Sequence, residues 1–419
     1  MTSRERVLAA INHVQPDKIP FDLGGTGCST AHVKIVEGLN KYYGLPDVPV
    51  TVSSPYAMTG YISDELMDKM GCDVATTYGR MAPGGVPREP VVLWKTLHGQ
   101  DVYMPEAFRM TPDGNGGWYA YPQGDLSCEP SAHMPAKSPY FDAIERCDDF
   151  DEDNMNPEDN LEEFGLLSDQ DIAYIAEKAK EARATGRCVV FGGANAALGE
   201  VGKIPGPTLK NPKGIRRIED WYMAHALYPE YIEAIYDKET DIVIQNLEKL
   251  NAACGDLIDV IFLCDSDLSH QNGLLISLDQ YDELYMPYHK KMNNWIHKNT
   301  NWKTIKHCCG AAAPLIPKFI ESGFDCLNPV QTSARGMDAV MLKKEFGKEI
   351  TFWGGGVDTQ SVLPFGTPEE VRKQVLERCE IFGKDGGFVF ASIHIVQGNV
   401  PLENVVAMIN AVKEFNGDL

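Results

Sequence analysis

Short apolar runs alternate with longer amphipathic stretches along most of the chain. Eight runs rich in β-branched residues each end in Gly, Asp, Asn or His, which predicts a β-strand at each run. The predicted strands are Lys18–Leu23, Cys72–Thr77, Cys188–Phe191, Val260–Cys264, Lys303–Ile305, Phe324–Leu327, Ile350–Trp353 and Gly387–Ala391. Apolar residues at three- and four-residue spacing predict the helices Ser168–Ala184, Pro229–Asn251, Leu278–Lys298, Leu315–Ser322, Met337–Phe346, Thr367–Phe382 and Leu402–Phe415.

This order of elements predicts an α/β fold. Strands that alternate with helices pair in a parallel sheet, and eight such units favour closure into a (β/α)8 TIM-type barrel. An open doubly wound sheet is the alternative, but no glycine-rich dinucleotide-binding motif follows the first strand. We therefore expect residues 1–419 to form a single barrel domain.

Residues 79–165 break the alternating pattern. Two pairs of β-rich runs enclose turns that contain glycine, so we expect a segment rich in β-hairpins. The paired runs are Val91–Leu97 with Gln100–Tyr103, and Phe108–Thr111 with Gly117–Tyr121. We interpret 79–165 as an insertion after the second strand that lies over the catalytic face of the barrel. A disordered linker is disfavoured because the segment contains Trp94, Phe108, Trp118 and Tyr119.

Charge narrows the classes of partner. The chain has 38 Lys and Arg against 60 Asp and Glu, a net charge of −22, which disfavours nucleic acid and anionic membranes. The apolar runs are too short to span a bilayer. The 11 cysteines are scattered, as expected for a reducing, cytoplasmic compartment, and they are candidates for metal binding.

Barrel enzymes place their chemistry at the carboxyl ends of the strands. Side chains alternate along a strand, so His307 and Cys309 point the same way and Cys308 points to the other face. His394 follows the eighth strand and reaches the same barrel mouth. A His/Cys/His set with an open fourth position is typical of catalytic zinc. A buried thiol beside a histidine bonded to the backbone is the simpler alternative.

Other polar residues lie at the predicted strand ends. Asp265 and Asp358 are candidate catalytic residues that could orient the imidazoles or hold a substrate hydroxyl group. Ordinary hydrogen bonding within the loops explains each of these residues equally well. The candidate substrate-binding residues are Asn195, Gln331, Gln360 and Gln397.

Several motifs carry a resemblance to a known family. His307-Cys308-Cys309-Gly310 is similar to a His-x-Cys-Gly zinc motif, and Pro401-Leu402-Glu403-Asn404 is similar to a Pro-x-Glu-Asn helix start. The segments 4–22, 323–331 and 352–360 resemble the opening helix and two strand ends of the same family. The chain resembles the uroporphyrinogen decarboxylase-like superfamily and, within it, the zinc-dependent methyltransferases that work with corrinoid proteins.

The resemblance implies an enzyme with zinc and with a corrinoid (cobalamin) carried by a partner protein. It implies transfer of a methyl group between a small O- or N-methylated compound and the corrinoid cobalt. In that branch the last zinc ligand is usually a cysteine, and its position falls on His394 here. A thiol-directed methyltransferase is one alternative. A decarboxylase is disfavoured because the Arg-Gln-Ala-Gly-Arg segment of that branch is missing. A metal hydrolase and a non-catalytic binding protein remain alternative classes. A homodimer is also possible.

Overall fold

The computed structural model describes residues 1–147, 152–193 and 196–419. Its helices are α1 Ser3–Ile11, α2 Val33–Tyr42, α3 Asp64–Met70, α4 Asp169–Ala184, α5 Ile218–Leu227, α6 Pro229–Cys254, α7 Leu278–Leu284, α8 Met286–Asn299, α9 Ile316–Glu321, α10 Ala339–Phe346, α11 Val362–Phe365, α12 Pro368–Phe382 and α13 Leu402–Asn416. Its strands are β1 Val50–Ser54, β2 Thr59–Gly60, β3 Val74–Thr77, β4 Met81–Ala82, β5 Val86–Pro87, β6 Val91–Lys95, β7 Asp101–Pro105, β8 Met110–Pro112, β9 Trp118–Ala120, β10 Ala132–Met134, β11 Asp142–Ala143, β12 Cys188–Phe191, β13 Val260–Cys264, β14 Ser269–His270, β15 Gly273–Leu274, β16 Lys303–His307, β17 Cys326–Asn328, β18 Thr351–Trp353 and β19 Phe388–Val389.

The central element is a parallel seven-stranded sheet. Its strand order is β19-β18-β17-β16-β13-β12-β3, so strands that follow one another along the chain lie side by side. Helices connect them, because neighbouring parallel strands need a crossover that returns the chain to the end of the sheet at which each strand begins. This α/β fold is consistent with the predicted TIM-type barrel.

The predicted first strand, Lys18–Leu23, is reduced to an isolated bridge at Phe21. Pro20 has no N–H to donate to a ladder, which limits regular pairing here. The segment still bonds in both directions: Phe390 N donates to Pro20 O at 2.9 Å, and Asp73 N donates to Phe21 O at 2.8 Å. It therefore links the two edges of the seven-stranded sheet.

Helix α1 packs against the inner face of the sheet. Its side chains Val7, Ala10 and Ile11 belong to one buried cluster with strand residues such as Val260 and Trp353. A capping box fixes the start of the helix, since Thr2 and Glu5 bond reciprocally to each other's backbone. The alternation of strand side chains thus fills the inside of the sheet with apolar residues.

Some helix boundaries differ from those expected. The predicted helix Leu278–Lys298 is two helices that meet at Tyr285, because Pro287 in the first turn of α8 cannot continue the hydrogen bonding of α7. Helices α2 and α5 lie where no helix was predicted. Arg217, the residue before α5, makes no side-chain capping bond, so the usual start signal is missing there.

The segment 79–165 contributes to three further sheets, of which the smallest is the antiparallel pair β4 and β5. Strands β6 and β7 pair antiparallel, and so do β8 and β9, around the turns with glycine. Strand β7 also pairs in parallel with β1, which precedes the segment, giving the order β2-β1-β7-β6. The expected hairpin of β6 and β7 therefore belongs to a larger sheet with strands from outside 79–165. Strand β1 pairs with the free side of β7, which would otherwise be an unpaired edge strand.

Asp259 lies at the amino end of the parallel sheet, just before β13. The buried carboxylate accepts hydrogen bonds from Val189 N, from Arg4 Nε and from both terminal nitrogens of Arg183, each at 2.9 Å. One acid therefore connects α1, α4 and β12. At this end of a barrel such residues serve stability rather than catalysis.

We expect Asp259→Ala to lower the free energy of unfolding by about 3 kcal/mol, because the partly buried Arg183 loses its charge partner. Urea unfolding measures the change. Asp241→Ala removes an exposed pair with Lys291 and should cost less than about 1 kcal/mol. Equal effects of the two substitutions would contradict the structural role of Asp259.

Candidate metal centre

His307 is the last residue of β16, and only 5% of its side chain is exposed. Its Nδ1 lies 2.7 Å from Asn328 Oδ1 at the end of the neighbouring strand β17. Asn328 Nδ2 donates to Trp353 O at 3.0 Å, which fixes the orientation of the amide. Because the amide oxygen accepts, Nδ1 carries the hydrogen and the Nε2 lone pair is left to bind a metal.

Cys309 stands beside this free nitrogen. Its Sγ lies 3.2 Å from His307 Nε2, and its backbone N donates to Asp267 Oδ1 at 2.6 Å. The same carboxylate oxygen is 3.7 Å from His307 Nε2. The Sγ of Cys308 faces Leu268 N instead, at 3.4 Å. Donor atoms of Asp267, His307 and Cys309 therefore all lie within 4.8 Å of one another.

His394 follows β19, the outermost strand on one side of the sheet, and its ring lies near that of His307. The two ring centroids are 5.6 Å apart, and the planes meet at 69°. Donor atoms of Cys28, His307 and His394 also lie within 4.8 Å of one another, so His307 belongs to both groups of donors. Burial lowers the pKa of His394 to about 4, which keeps its ring neutral and able to donate a lone pair at pH 7.

The two candidate catalytic aspartates contact other groups. Asp265 forms an ion pair with Lys203 at 3.6 Å. Asp358 Oδ1 accepts from Gln360 N at 2.9 Å within its own loop. The structure brings Asn328 and Asp267, rather than Asp265 and Asp358, to the His307 ring. Asp267 lies two residues after Asp265, and strand-like alternation would have placed both on one face.

The candidate substrate-binding residues also differ in what they contact. Gln331 Oε1 accepts from Gly310 N at 2.7 Å, which orders the turn after Cys309. Gln360 Oε1 accepts from Ser333 Oγ at 3.1 Å. The buried Oε1 of Gln397 has no hydrogen-bond partner within residues 1–147, 152–193 and 196–419. Asn195 lies outside the described residues.

The donor set suits zinc. Sulfur, imidazole and carboxylate are the ligands that Zn²⁺ prefers. Burial and the neighbouring Asp267 carboxylate raise the pKa of the Cys309 thiol far above its usual range. A divalent cation would offset this penalty and keep the thiolate form. The donors are Cys28, Asp267, His307, Cys309 and His394.

A cavity of about 830 Å³ is lined by Gly24 and Thr30, on either side of the turn that carries Cys28. Residues of β3, α3 and α4 line it, together with Tyr61 and Tyr78, and Arg88 stacks 4.8 Å from the centre of the Tyr78 ring. None of the five described donors lines this cavity. We therefore locate the candidate site by the donors and not by the cavity.

The fold and the donors together define a barrel-type protein with a candidate metal site at its strand ends. The family model described as uroporphyrinogen decarboxylase (URO-D) matches residues 162–415. The chain belongs to this family. The matched range includes His307, Cys309 and His394, whereas Cys28 lies before it.

Relatives carry two kinds of activity. The chain is 31% identical over 189 residues to a methylated-thiol–coenzyme M methyltransferase of Methanosarcina mazei, a match that covers 44% of this chain and 45% of the relative. It is 24% identical over 197 residues to a uroporphyrinogen decarboxylase of Ruthia magnifica, covering 45% and 50%. The chain thus spans about half the length of these curated relatives.

A solved structure shows the same fold. A methyltransferase from Methanosarcina mazei superposes with a TM-score of 0.57 at 17% identity, over 99% of each chain. No helix in the described part of this chain has the length and apolar character that crossing a membrane requires.

We expect Asn328→Ala to weaken zinc binding by about 10- to 100-fold, because His307 loses the acceptor that fixes its hydrogen and its orientation. Competition with a coloured chelator measures the affinity. Asn404→Ala is the matched control, since that buried amide bonds Leu363 O and Gly366 O instead. Equal zinc affinity in Asn328→Ala and the wild type would contradict the role of Asn328.

Proposed function

We propose that the protein is a zinc-dependent methyltransferase that moves a methyl group between a small O- or N-methylated compound and the cobalt of a corrinoid protein. The observation that carries the proposal is the convergence of imidazole and thiol donors at the carboxyl ends of the strands. The methyltransferase relative supports the reaction class, and the decarboxylase relatives represent the competing class.

In this proposal His307, Cys309 and His394 hold the metal. When bound, zinc supplies Lewis-acid stabilisation to a substrate heteroatom. Asn328 keeps the His307 ring in the orientation that presents Nε2, and Asp267 fixes the Cys309 backbone.

Four residues remain proposed as contacts to the substrate. Gln397 is the best placed for this role, since its buried Oε1 has no partner among the described residues and can accept a hydrogen bond from a ligand. Asn195, Gln331 and Gln360 stay proposals. Asp265 and Asp358 remain proposed to act through the loops that their contacts order.

The number of thiolates bears on the substrate class. One thiolate and two neutral histidines leave a zinc site at a formal charge of +1, which favours activation of an oxygen or nitrogen atom. Two thiolates leave it neutral, which suits a thiol as methyl acceptor. The relative named for methylated thiols favours this second candidate, a thiol-directed methyltransferase.

A decarboxylase of the uroporphyrinogen type fits the site less well. Such a substrate carries many carboxylates and needs cations to bind. Glu200 Oε2 accepts from Asp267 N at 3.3 Å, so two acids lie together beside the donors. Burial, and after it the nearby acids Asp265 and Asp267, raise the pKa of Glu200, which is consistent with a site that disfavours further negative charge.

We propose 79–165 as the insertion against which the corrinoid protein docks. Arg146 of this segment donates to Gly206 O and to Leu209 O, each at 2.7 Å. Gln123 Nε2 donates to Thr208 O at 3.1 Å. These acceptors lie in the loop after β12, which supports a position at the carboxyl end of the sheet.

We expect the purified protein to contain about one zinc per chain and Cys309→Ala to lose it. Methyl transfer with the corrinoid protein should then fall by more than about 100-fold, beyond the loss typical of residues that only orient a ligand. Cys308→Ala is the matched control, because its sulfur faces away from His307. Metal analysis and a methyl-transfer assay with ethers, amines and thiols provide the measurements.

A wild type that lacks zinc, or that decarboxylates porphyrinogens without transferring methyl groups, would refute the proposal. Transfer to a thiol with no activity on ethers or amines would select the thiol-directed candidate.

We expect Arg146→Ala to raise the KM for the corrinoid protein several-fold, because the insertion loses two charge-assisted hydrogen bonds to the loop after β12. Zinc content should not change, since Arg146 contacts none of the donors. Steady-state kinetics with varied corrinoid protein provides the measurement, and an unchanged KM would argue against docking on the insertion.

A further inference from the structure

Cys28 lies in a short turn after the segment that links the two edges of the sheet. Its Sγ and donor nitrogens of His307 and His394 lie within 4.8 Å of one another. Donors bound to one tetrahedral zinc are about 3 to 4 Å apart, so the spacing of these three atoms is close to what a shared ion requires. The sulfur thus stands beside both candidate imidazole ligands.

The turn is built on the buried carboxylate of Asp22. Its oxygens accept from Gly25 N at 2.8 Å, from Ser29 Oγ at 2.7 Å and from Trp353 Nε1 at 2.8 Å. A Cβ atom at Gly25 would lie 2.3 Å from Val74 Cγ1, so only glycine fits this close approach. The turn is therefore held tightly against the end of the sheet.

The same turn fixes the backbone of Cys28. Thr26 Oγ1 accepts from Cys28 N at 3.3 Å and from Ser29 N at 3.0 Å. Such bonds order the backbone before a ligand arrives, which lowers the entropic cost of binding. No other cysteine of the described residues shares a donor group with His394.

We propose that Cys28 is a further ligand of the metal held by His307, Cys309 and His394. This inference rests on the proposed function in requiring that the site bind zinc, and it favours the thiol-directed candidate, because two thiolates leave the site neutral. A second sulfur then enters from the turn after Asp22 and brings the protein ligands to four, so a substrate heteroatom would bind as a fifth ligand or by displacing one of them. The thiol proton leaves to solvent when the thiolate binds.

Zinc and cobalt binding to the intact protein test the assignment. Cys28→Ser should lower zinc affinity at least 10-fold and should remove about half of the thiolate-to-metal charge-transfer absorbance of the Co²⁺-loaded protein. Cys128→Ser is the matched control, since Cys128 is also partly buried and belongs to neither group of donors. Unchanged affinity and absorbance in Cys28→Ser would overturn the assignment.

A measurement on the wild type covers the case in which Cys28→Ser fails to fold. Zinc should slow alkylation of Cys28 by iodoacetamide at least 10-fold, as followed by peptide mass, and leave Cys128 unchanged. Equal alkylation of Cys28 with and without bound zinc would overturn the assignment and leave the proposed function standing. A wild type that binds no zinc would overturn both.

Discussion

The closure of the parallel sheet by Pro20–Asp22 is the constraint on which the candidate site depends. The carboxyl ends of parallel strands lie at the same end of a sheet. Residues that follow the two outermost strands can meet there only when those two strands are also brought together. Backbone bonds from this segment to Phe390 and to Asp73 provide that link. They place Cys28, near the start of the chain, beside His394, near its end.

A buried cation fixes the strand ends relative to each other. Lys306 is fully buried, and its ammonium group donates to Ser266 O at 2.6 Å and to His307 O at 2.7 Å. Ser266 follows β13 and His307 ends β16, so the Lys306 ammonium group connects the loop that carries Asp267 to the strand end that carries His307. Charge-assisted bonds of this kind are strong where water is excluded, and they limit how far the donors can drift.

The periodicity of the sequence predicted those parts of the fold that depend on regular burial. Strands β12 and β13 have the expected bounds, since a run of buried β-branched residues leaves little choice of conformation. Strand-like alternation continued past His307 predicted Cys309 on the same side as His307; β16 ends at His307, but Cys309 Sγ still lies 3.2 Å from His307 Nε2. Cys28 was missed because it lies in a turn held by Asp22 and Thr26, and hydrogen bonds within a turn leave no periodic pattern.

The charge of the donor set connects the site to its chemistry. Each thiolate bound to a divalent cation removes one positive unit, and each neutral imidazole removes none. With Cys309 alone the formal charge is +1, and with Cys28 as well it is zero. A neutral centre withdraws less electron density from a bound heteroatom, so it activates ethers and amines less and leaves a bound sulfur more nucleophilic. If Cys28 binds zinc as we propose, the neutral centre favours the thiol-directed candidate; with Cys309 as the one bound thiolate, the centre favours ethers and amines.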